Sequence, residues 1–135
     1  MNEDNSKRER NVARECCVFD TNALLIPFEF GLNPYDGVRD LIPGVRLVTL
    51  EECVSELKGL RPSKWESILS LGVQNRLEVV NSEVNEVSVD DRIVSFASRE
   101  KCLVLTQDAL LRKKLLAKGL RIVLMRNKKT FVLMG

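Results

Sequence analysis

Short apolar runs alternate with amphipathic stretches along most of this 135-residue chain. The apolar runs predict strands at 16–20, 45–48, 77–80, 102–106 and 120–125, with an edge strand at 130–134. The amphipathic stretches predict helices at 35–41, from Thr49 up to Gly59, from Ser63 toward Gly72, at 89–99 and at 109–118. Pro27 together with the segment 31–34 predicts a loop, and Pro43-Gly44 predicts a turn.

This alternation of strands and helices is typical of an α/β fold in which a central parallel sheet carries helices on both faces. At 135 residues the chain has room for one such domain, at 15–135. Residues 1–14 are polar, charged and without apolar periodicity, which predicts a flexible arm. In open parallel sheets, ligands bind beyond the carboxyl ends of the strands, so residues at strand exits are the first candidates for a site.

Helix starts can be located from capping patterns. Thr49 with Glu52, and Ser63 with Glu66, have the spacing of a capping box, in which a hydroxyl and a carboxylate satisfy helix-end amides reciprocally. Ser88 is expected to cap the helix that begins at Val89.

Two aspartates follow apolar strands. Asp20 ends the run 16–19, and Asp108 follows the run 103–106 at a strand-to-helix turn. Each has a structural alternative, since an aspartate at a helix start is also explained by backbone amides or the helix dipole. We favour a functional role for Asp20 because of its position at a strand exit, with Asn22 and Thr106 as supporting polar groups.

Two further acids lie on helices. In projection, Glu56 borders the apolar stripe of its helix and is placed to lean into a cleft. Asp90 and Asp91 open a later helix; if Ser88 is the cap, Asp91 occupies the capping-box position and Asp90 is freer to face a site. We therefore expect Asp90 to be the direct ligand and Asp91 a water-bridged helper.

Composition narrows the chemistry. The chain has no histidine, so the common proton shuttle and transition-metal ligand is missing, and serine or cysteine nucleophiles lack their usual base. It has no glycine-rich phosphate loop and no dinucleotide-binding fingerprint. Clustered carboxylates without histidine suit hard cations such as Mg2+ or Mn2+. A zinc site is not expected, and the four cysteines are interpreted as reduced core residues.

Charge is distributed unevenly. Eight cationic residues and no acidic ones follow Asp108. Because the whole chain has a net charge of +2, the first 108 residues have a net charge of −6. This basic end favours a polyanionic partner, and the candidate contacts are Arg112, Lys113, Arg126, Lys128 and Lys129. For the helical cations, solvation of an outer helix face is an equal alternative. No apolar run is long enough to cross a bilayer and no signal-peptide core is present, so a cytoplasmic location without membrane contact is expected.

Together the acidic segments resemble the PIN-domain ribonuclease family. The segments that carry the resemblance are Asp20-Thr21-Asn22, 56–60, 90–93 and Thr106-Gln107-Asp108, in the family's order. The chain is most similar to the archaeal and eukaryotic branch that processes small-subunit rRNA, through 25–31, the paired Asp90-Asp91 and the basic tail 126–129. It departs from the family at Gln107, where Asn is common.

The resemblance implies a Mg2+- or Mn2+-dependent endoribonuclease acting in rRNA processing or ribosome biogenesis. Asp20, Glu56, Asp90 and Asp108 would be catalytic and, with Asp91, would hold one or two ions. RNA, in particular an rRNA precursor, would be the partner, and a homodimer is a weaker implication. Two alternatives remain open: a toxin-type ribonuclease paired with an antitoxin, and a non-cleaving RNA-binding assembly factor. An aspartyl phosphatase is remote because Asn22 stands where that chemistry needs a second aspartate.

Overall fold

The computed structural model describes residues 14–135, which form one α/β domain with a six-stranded sheet. The strands are β1 Cys16–Phe19, β2 Arg46–Leu50, β3 Leu77–Val80, β4 Leu103–Leu105, β5 Ile122–Arg126 and β6 Thr130–Met134. The helices are α1 Thr21–Leu24, α2 Ile26–Phe30, α3 Pro34–Leu41, α4 Glu51–Leu57, α5 Pro62–Gln74, α6 Val89–Glu100 and α7 Ala109–Ala117. The arm expected at 1–14 lies outside the described residues, apart from its last residue.

The sheet order is β3-β2-β1-β4-β5-β6, and every pairing is parallel except β5 with β6. The chain moves outward from β1 to β2 and β3 on one side, then returns to place β4 on the other side of β1. The order therefore reverses between β1 and β4, which opens a crevice at their carboxyl ends. This confirms the predicted sheet with helices on both faces.

Alternate side chains of the central strands pack into two separate cores, as the two-residue period of a strand requires. Cys17 and Phe19 of β1 pack with α3 and α5, where the Phe19 ring stacks on Tyr35 at 4.9 Å between centroids. Cys16 and Val18 pack instead with α6 and α7. Burial on both faces explains why β1 is continuously apolar.

Two predicted capping boxes are wrong. Thr49 lies inside β2, where it pairs with Val79 and its hydroxyl donates to the Phe19 carbonyl at 2.8 Å. Helix α4 consequently begins at Glu51 without a side-chain cap. Helix α5 begins at Pro62, which suits the first helical position because it lacks an amide proton, so Ser63 is already inside the first turn. Ser88 does cap α6, accepting from the Asp91 amide at 3.0 Å.

The prediction that all the cysteines are reduced is also wrong. Cys16 and Cys102 form a disulfide between the amino-terminal end of β1 and the residue before β4. Cys17 pairs with Leu103 in the parallel register, which sets Cys16 beside Cys102 with their Cα atoms 4.8 Å apart. That separation lies within the range of ordinary disulfides. Cys17 and Cys53 are free and buried.

No helix in the described range combines the length and apolar content that crossing a membrane requires.

A carboxylate cavity at the switch point of the sheet

The crevice between β1 and β4 opens into a cavity of about 240 Å³. Its polar lining comes from separate parts of the chain: Asp20, Thr21, Asn22, Glu56, Asp90 and Asp108. Four of these are the acids expected from the sequence to be catalytic, and the fold brings them to one place from positions up to 88 residues apart. Val89 and Ile93 supply its apolar wall.

Asp20 is fixed by two hydrogen bonds. Its Oδ1 accepts from the Ala23 amide at 2.7 Å, which makes it the N-cap of α1, and its Oδ2 accepts from the Thr106 hydroxyl at 2.6 Å. The structural interpretation of this aspartate is therefore confirmed, and the residue that caps α1 also lines the cavity. Its functional role stays a prediction.

Burial makes the charged form of the Asp20 carboxylate energetically unfavourable. The residue is only 5% exposed. Removal from water raises the pKa of Asp20 to about 6 from 3.8, against the opposing hydrogen bonds from Thr106 and Ala23, and the charges of Asp90 and Asp108 add to the rise. A cation in the cavity would offset both the free-energy cost of burying this charge and the repulsion from the neighbouring carboxylates.

Asp108 caps α7 in the same way. Its Oδ1 accepts from the Leu110 and Leu111 amides at 2.8 and 3.1 Å. Its own amide donates to the Thr106 hydroxyl oxygen at 3.0 Å. The fully buried Thr106 therefore links the two aspartates, because its hydroxyl donates to Asp20 and accepts from the Asp108 amide. The hydroxyl holds a carboxylate and does not cap the helix.

Glu56 and Asp90 face the cavity from the helices. Glu56 is exposed, and its Oε1 accepts from the Thr21 hydroxyl at 2.5 Å. Asp90 is half-buried; burial and the neighbouring Asp108 charge raise its pKa, whereas Lys114 opposes the rise. The charges of Asp108 and Glu56 both act on Asp90, so these acids lie in one electrostatic environment.

Asp91 is placed differently from its neighbour. It does not line the cavity; its Oδ1 lies 3.0 Å from Lys114 Nζ, and that ammonium lowers the pKa of Asp91. Lys114 lies on α7, so the pair joins the first turn of α6 to α7. Sequence reasoning did not single out Lys114, because an ion pair between helices needs their relative placement.

The sequence did not reveal a second group of polar residues, which joins two helices that line the cavity. Glu52 on α4 accepts hydrogen bonds from Ser82 and, at 3.2 Å, from Arg92 on α6. Although burial opposes the change, these bonds lower the pKa of Glu52. Its Oε1 is buried and has no hydrogen-bond partner in the described residues. The pair fixes the helix that carries Glu56 against the helix that carries Asp90.

The predicted RNA contacts are spread over two elements. Arg112 and Lys113 lie on α7, which begins at the cavity, and Arg126, Lys128 and Lys129 lie at the exposed β5–β6 turn. Of these five, Lys128 lines a second pocket that adjoins the cavity.

The donor set fits a hard divalent cation in its chemistry. The four cavity acids offer only oxygen, and neither Asp90 nor the second Glu56 oxygen is bonded to another described residue. Within residues 14–135, no three His, Cys, Asp or Glu side chains are drawn together as a formed metal group.

Asp20 gives a pH dependence that can be measured in metal-free protein. Because its folded pKa is raised, its contribution to stability is complete below the unfolded pKa of 3.8 and is lost as the pH rises through about 6. Asp20→Asn removes this loss, so relative to wild type it should gain roughly 2–3 kcal/mol between pH 4 and pH 7.5. Urea unfolding in EDTA at both pH values measures the gain. Asp40→Asn, at an exposed position on α3 outside the cavity, is the matched control.

Sheet order and cavity define the class: a small α/β domain with a mostly parallel sheet that gathers carboxylates from four segments at its switch point. Residues 17–128 match the sequence model of the family described as PIN like domain. The chain belongs to this family, which confirms the resemblance found in the sequence. Comparison with curated protein sequences found no match.

Solved structures agree with this assignment at the level of the fold. The domain is similar to the PIN domain endonuclease Utp24, with a TM-score of 0.74 and 21% identity over 87% of this chain and 90% of that chain. It is also similar to VapBC2 from Rickettsia felis, solved with a DNA fragment from its promoter, with a TM-score of 0.54 and 13% identity over 73% and 92%. The chain has the fold of a PIN-domain nuclease.

Proposed function

We propose that this protein is a divalent-cation-dependent endoribonuclease that hydrolyses phosphodiester bonds in an rRNA precursor. The observation that carries the proposal is the convergence of Asp20, Glu56, Asp90 and Asp108 on one cavity in a domain of the PIN-like family. Similarity to an endonuclease of the same fold supports the choice of nuclease activity. The rRNA precursor is the finer part of the proposal and rests on the sequence resemblance.

The four carboxylates would hold one or two Mg2+ or Mn2+ ions. When bound, such an ion supplies Lewis acidity, which lowers the pKa of water and neutralises charge on the phosphodiester. Hydrolysis adds water across one P–O bond, leaving a phosphate terminus and a hydroxyl terminus. The chain's contribution is to keep the ligands in place before the substrate arrives.

Hydroxyl groups provide that placement. Thr106 donates to Asp20, and Thr21 donates to Glu56, so both carboxylates are oriented by neighbours that carry no charge of their own. Groups that orient metal ligands in this way raise both affinity and activity in other sites. The cations on α7 and at the β5–β6 turn would neutralise RNA phosphates, so affinity should fall as salt rises.

Cleavage of end-labelled RNA tests the proposal. Precursor rRNA and an unrelated RNA of equal length are incubated with the protein in Mn2+, Mg2+ or EDTA. Cuts in the metal arms that disappear in EDTA are expected, with those in the precursor confined to a few positions. Equal cutting of both RNAs would remove the precursor specificity but leave the nuclease. Salt-sensitive binding without cutting in any arm would replace the nuclease by the RNA-binding assembly factor.

Metal binding has an independent readout. Either ion should raise the melting temperature of the wild type, because it binds the folded state and relieves repulsion among the cavity acids. Asp20→Asn should show a smaller rise, and the exposed Asp40→Asn control should match the wild type.

A further inference from the structure

A second, larger pocket adjoins the carboxylate cavity. It has a volume of about 500 Å³ and lies between α2, the start of α7 and the end of β5. Asn22 and Asp108 line both spaces, so the two are continuous across these residues. The volume is in the range of pockets that bury a small organic group.

The floor of this pocket is apolar, and its side carries an aromatic ring. Ile26 and Met125 are 1% and 7% exposed, whereas Phe30 is 37% exposed. Lys128 Nζ lies 5.9 Å from the centre of the Phe30 ring, within the range of a cation–π contact. An accessible aromatic ring beside an apolar surface is the arrangement on which nucleic-acid bases stack.

The charges of the lining favour a neutral occupant over a phosphate. Glu29 and Asp108 are acidic and only Lys128 is basic, so an anion inside the pocket would be repelled. Lys128 belongs to the β5–β6 turn and can meet a phosphate at the rim. The pocket therefore suits the uncharged part of a nucleotide, with its backbone outside.

Of the three carboxamide side chains that line the pocket, those of Asn22 and Asn127 are available to bond with such an occupant, and that of Gln107 is not. Gln107 is committed, since its Oε1 accepts from the Met125 amide at 2.6 Å and its Nε2 donates to the Met125 carbonyl at 3.2 Å. Asn22 and Asn127 also line the pocket, and their side chains bond to no other residue in the described part of the chain. A carboxamide offers both a donor and an acceptor, which matches the edge of a base.

We infer that this pocket holds the base of an unpaired nucleotide next to the scissile phosphate, stacked on Phe30; the inference rests on the proposed function. A base inside a duplex cannot reach such a pocket without leaving its stack, so the nucleotide that the pocket reads must be turned out of any stack. Substrate choice would then depend on this pocket, while the carboxylate cavity performs the hydrolysis.

Abasic substitution combined with mutation tests the inference. After the wild-type cut is mapped on a single-stranded RNA, each nucleotide near the cut is replaced in turn by an abasic one. One position beside the cut should lower wild-type kcat/KM about tenfold, in line with the loss of one stacked base. Phe30→Ala and Phe30→Leu should show that loss on the intact RNA, with no further loss on the abasic RNA. Phe30→Leu keeps apolar bulk without a ring.

Phe28→Ala is the matched control. Phe28 lies on the same helix and is 48% exposed, but it lines a different surface with Ser63 and Glu66. This variant should keep the full sensitivity to the abasic position. If no abasic position affects the wild type, or if its effect adds independently to that of Phe30→Ala, the pocket does not hold a base, although the nuclease stands.

A binding readout separates the pocket from the activity. Single-stranded RNA with 2-aminopurine at successive positions is titrated with protein in EDTA, where no cutting is expected. Quenching at one position by wild type and Phe28→Ala, but not by Phe30→Leu, supports the pocket even if the wild type fails to cut and the proposed function falls. Quenching that is absent, or equal in all three proteins, overturns the inference.

Discussion

Asp20→Asn should lower kcat/KM for RNA cleavage by about a thousandfold while leaving the fold intact. The change removes one of four charges that would hold the cation, and Lewis-acid stabilisation of this kind is worth several kcal/mol. Asparagine is as good an N-cap as aspartate, so the bond from the Ala23 amide can persist. Because the buried charge is lost, the variant should melt at or above the wild-type temperature at pH 7.5 in EDTA. Initial rates with labelled RNA measure the activity.

Controls make this result specific. Asp40→Asn on α3 changes the net charge equally but lies outside the cavity, so it should cut within about twofold of wild type. In the same assay, Asp90→Asn should lose far more activity than Asp91→Asn, because Asp90 lines the cavity and Asp91 is held by Lys114. Full activity in a well-folded Asp20→Asn protein would remove Asp20 from the catalytic set.

Removing the disulfide should lower the melting temperature by on the order of 10 °C, a loss of about 4 kcal/mol for a loop of this length. Cys16 and Cys102 are 86 residues apart in sequence, so their bond strongly restricts the unfolded chain. The double variant Cys16→Ala/Cys102→Ala is preferred to a serine variant, because serine would leave a hydroxyl at positions that are almost fully buried. Thermal unfolding by circular dichroism, with and without a phosphine reductant, measures the effect.

The reductant provides an internal control. It should lower the melting temperature of the wild type to that of the double variant and leave the variant unchanged. Denatured wild type should react as two free thiols, those of Cys17 and Cys53. Reaction of all four would contradict the disulfide. Activity below the melting range should persist in the variant, since the bond lies at the end of the strands opposite Asp20 and Asp108.

The alternation of strands and helices was enough to predict the sheet and most element bounds, because strands buried on both faces have to be apolar. The errors occurred where a local pattern had two solutions. Thr49 and Glu52 have capping-box spacing, but β2 extends through Thr49 and pairs with β3, and tertiary pairing outweighs the weak preference of a cap. Residues between Thr21 and Phe30 formed two short helices that no periodicity could define over so few positions.

The four acids could be predicted because strand exits and the edge of an apolar stripe are readable in one dimension. What brings them together could not. The Thr106 bridge from Asp20 to Asp108 and the ion pair of Asp91 with Lys114 depend on which strands and helices are neighbours. The Cys16–Cys102 bond depends on the register of β1 against β4, which a sequence separation of 86 residues conceals. Gln107 likewise acquires a role only through the backbone of β5.

Two of the four cavity acids have both a structural role and a proposed catalytic role, and this has an evolutionary consequence. Asp20 and Asp108 each cap the helix that follows them, whereas Glu56 and Asp90 cap nothing. In a descendant released from selection for cleavage, the first pair would still be constrained to residues that cap, such as Asp, Asn or Ser. Positions 56 and 90 would drift freely. A copy of this domain that no longer cleaves RNA should therefore be recognisable by the loss of the two helical acids. The acids at the strand ends should be lost much later.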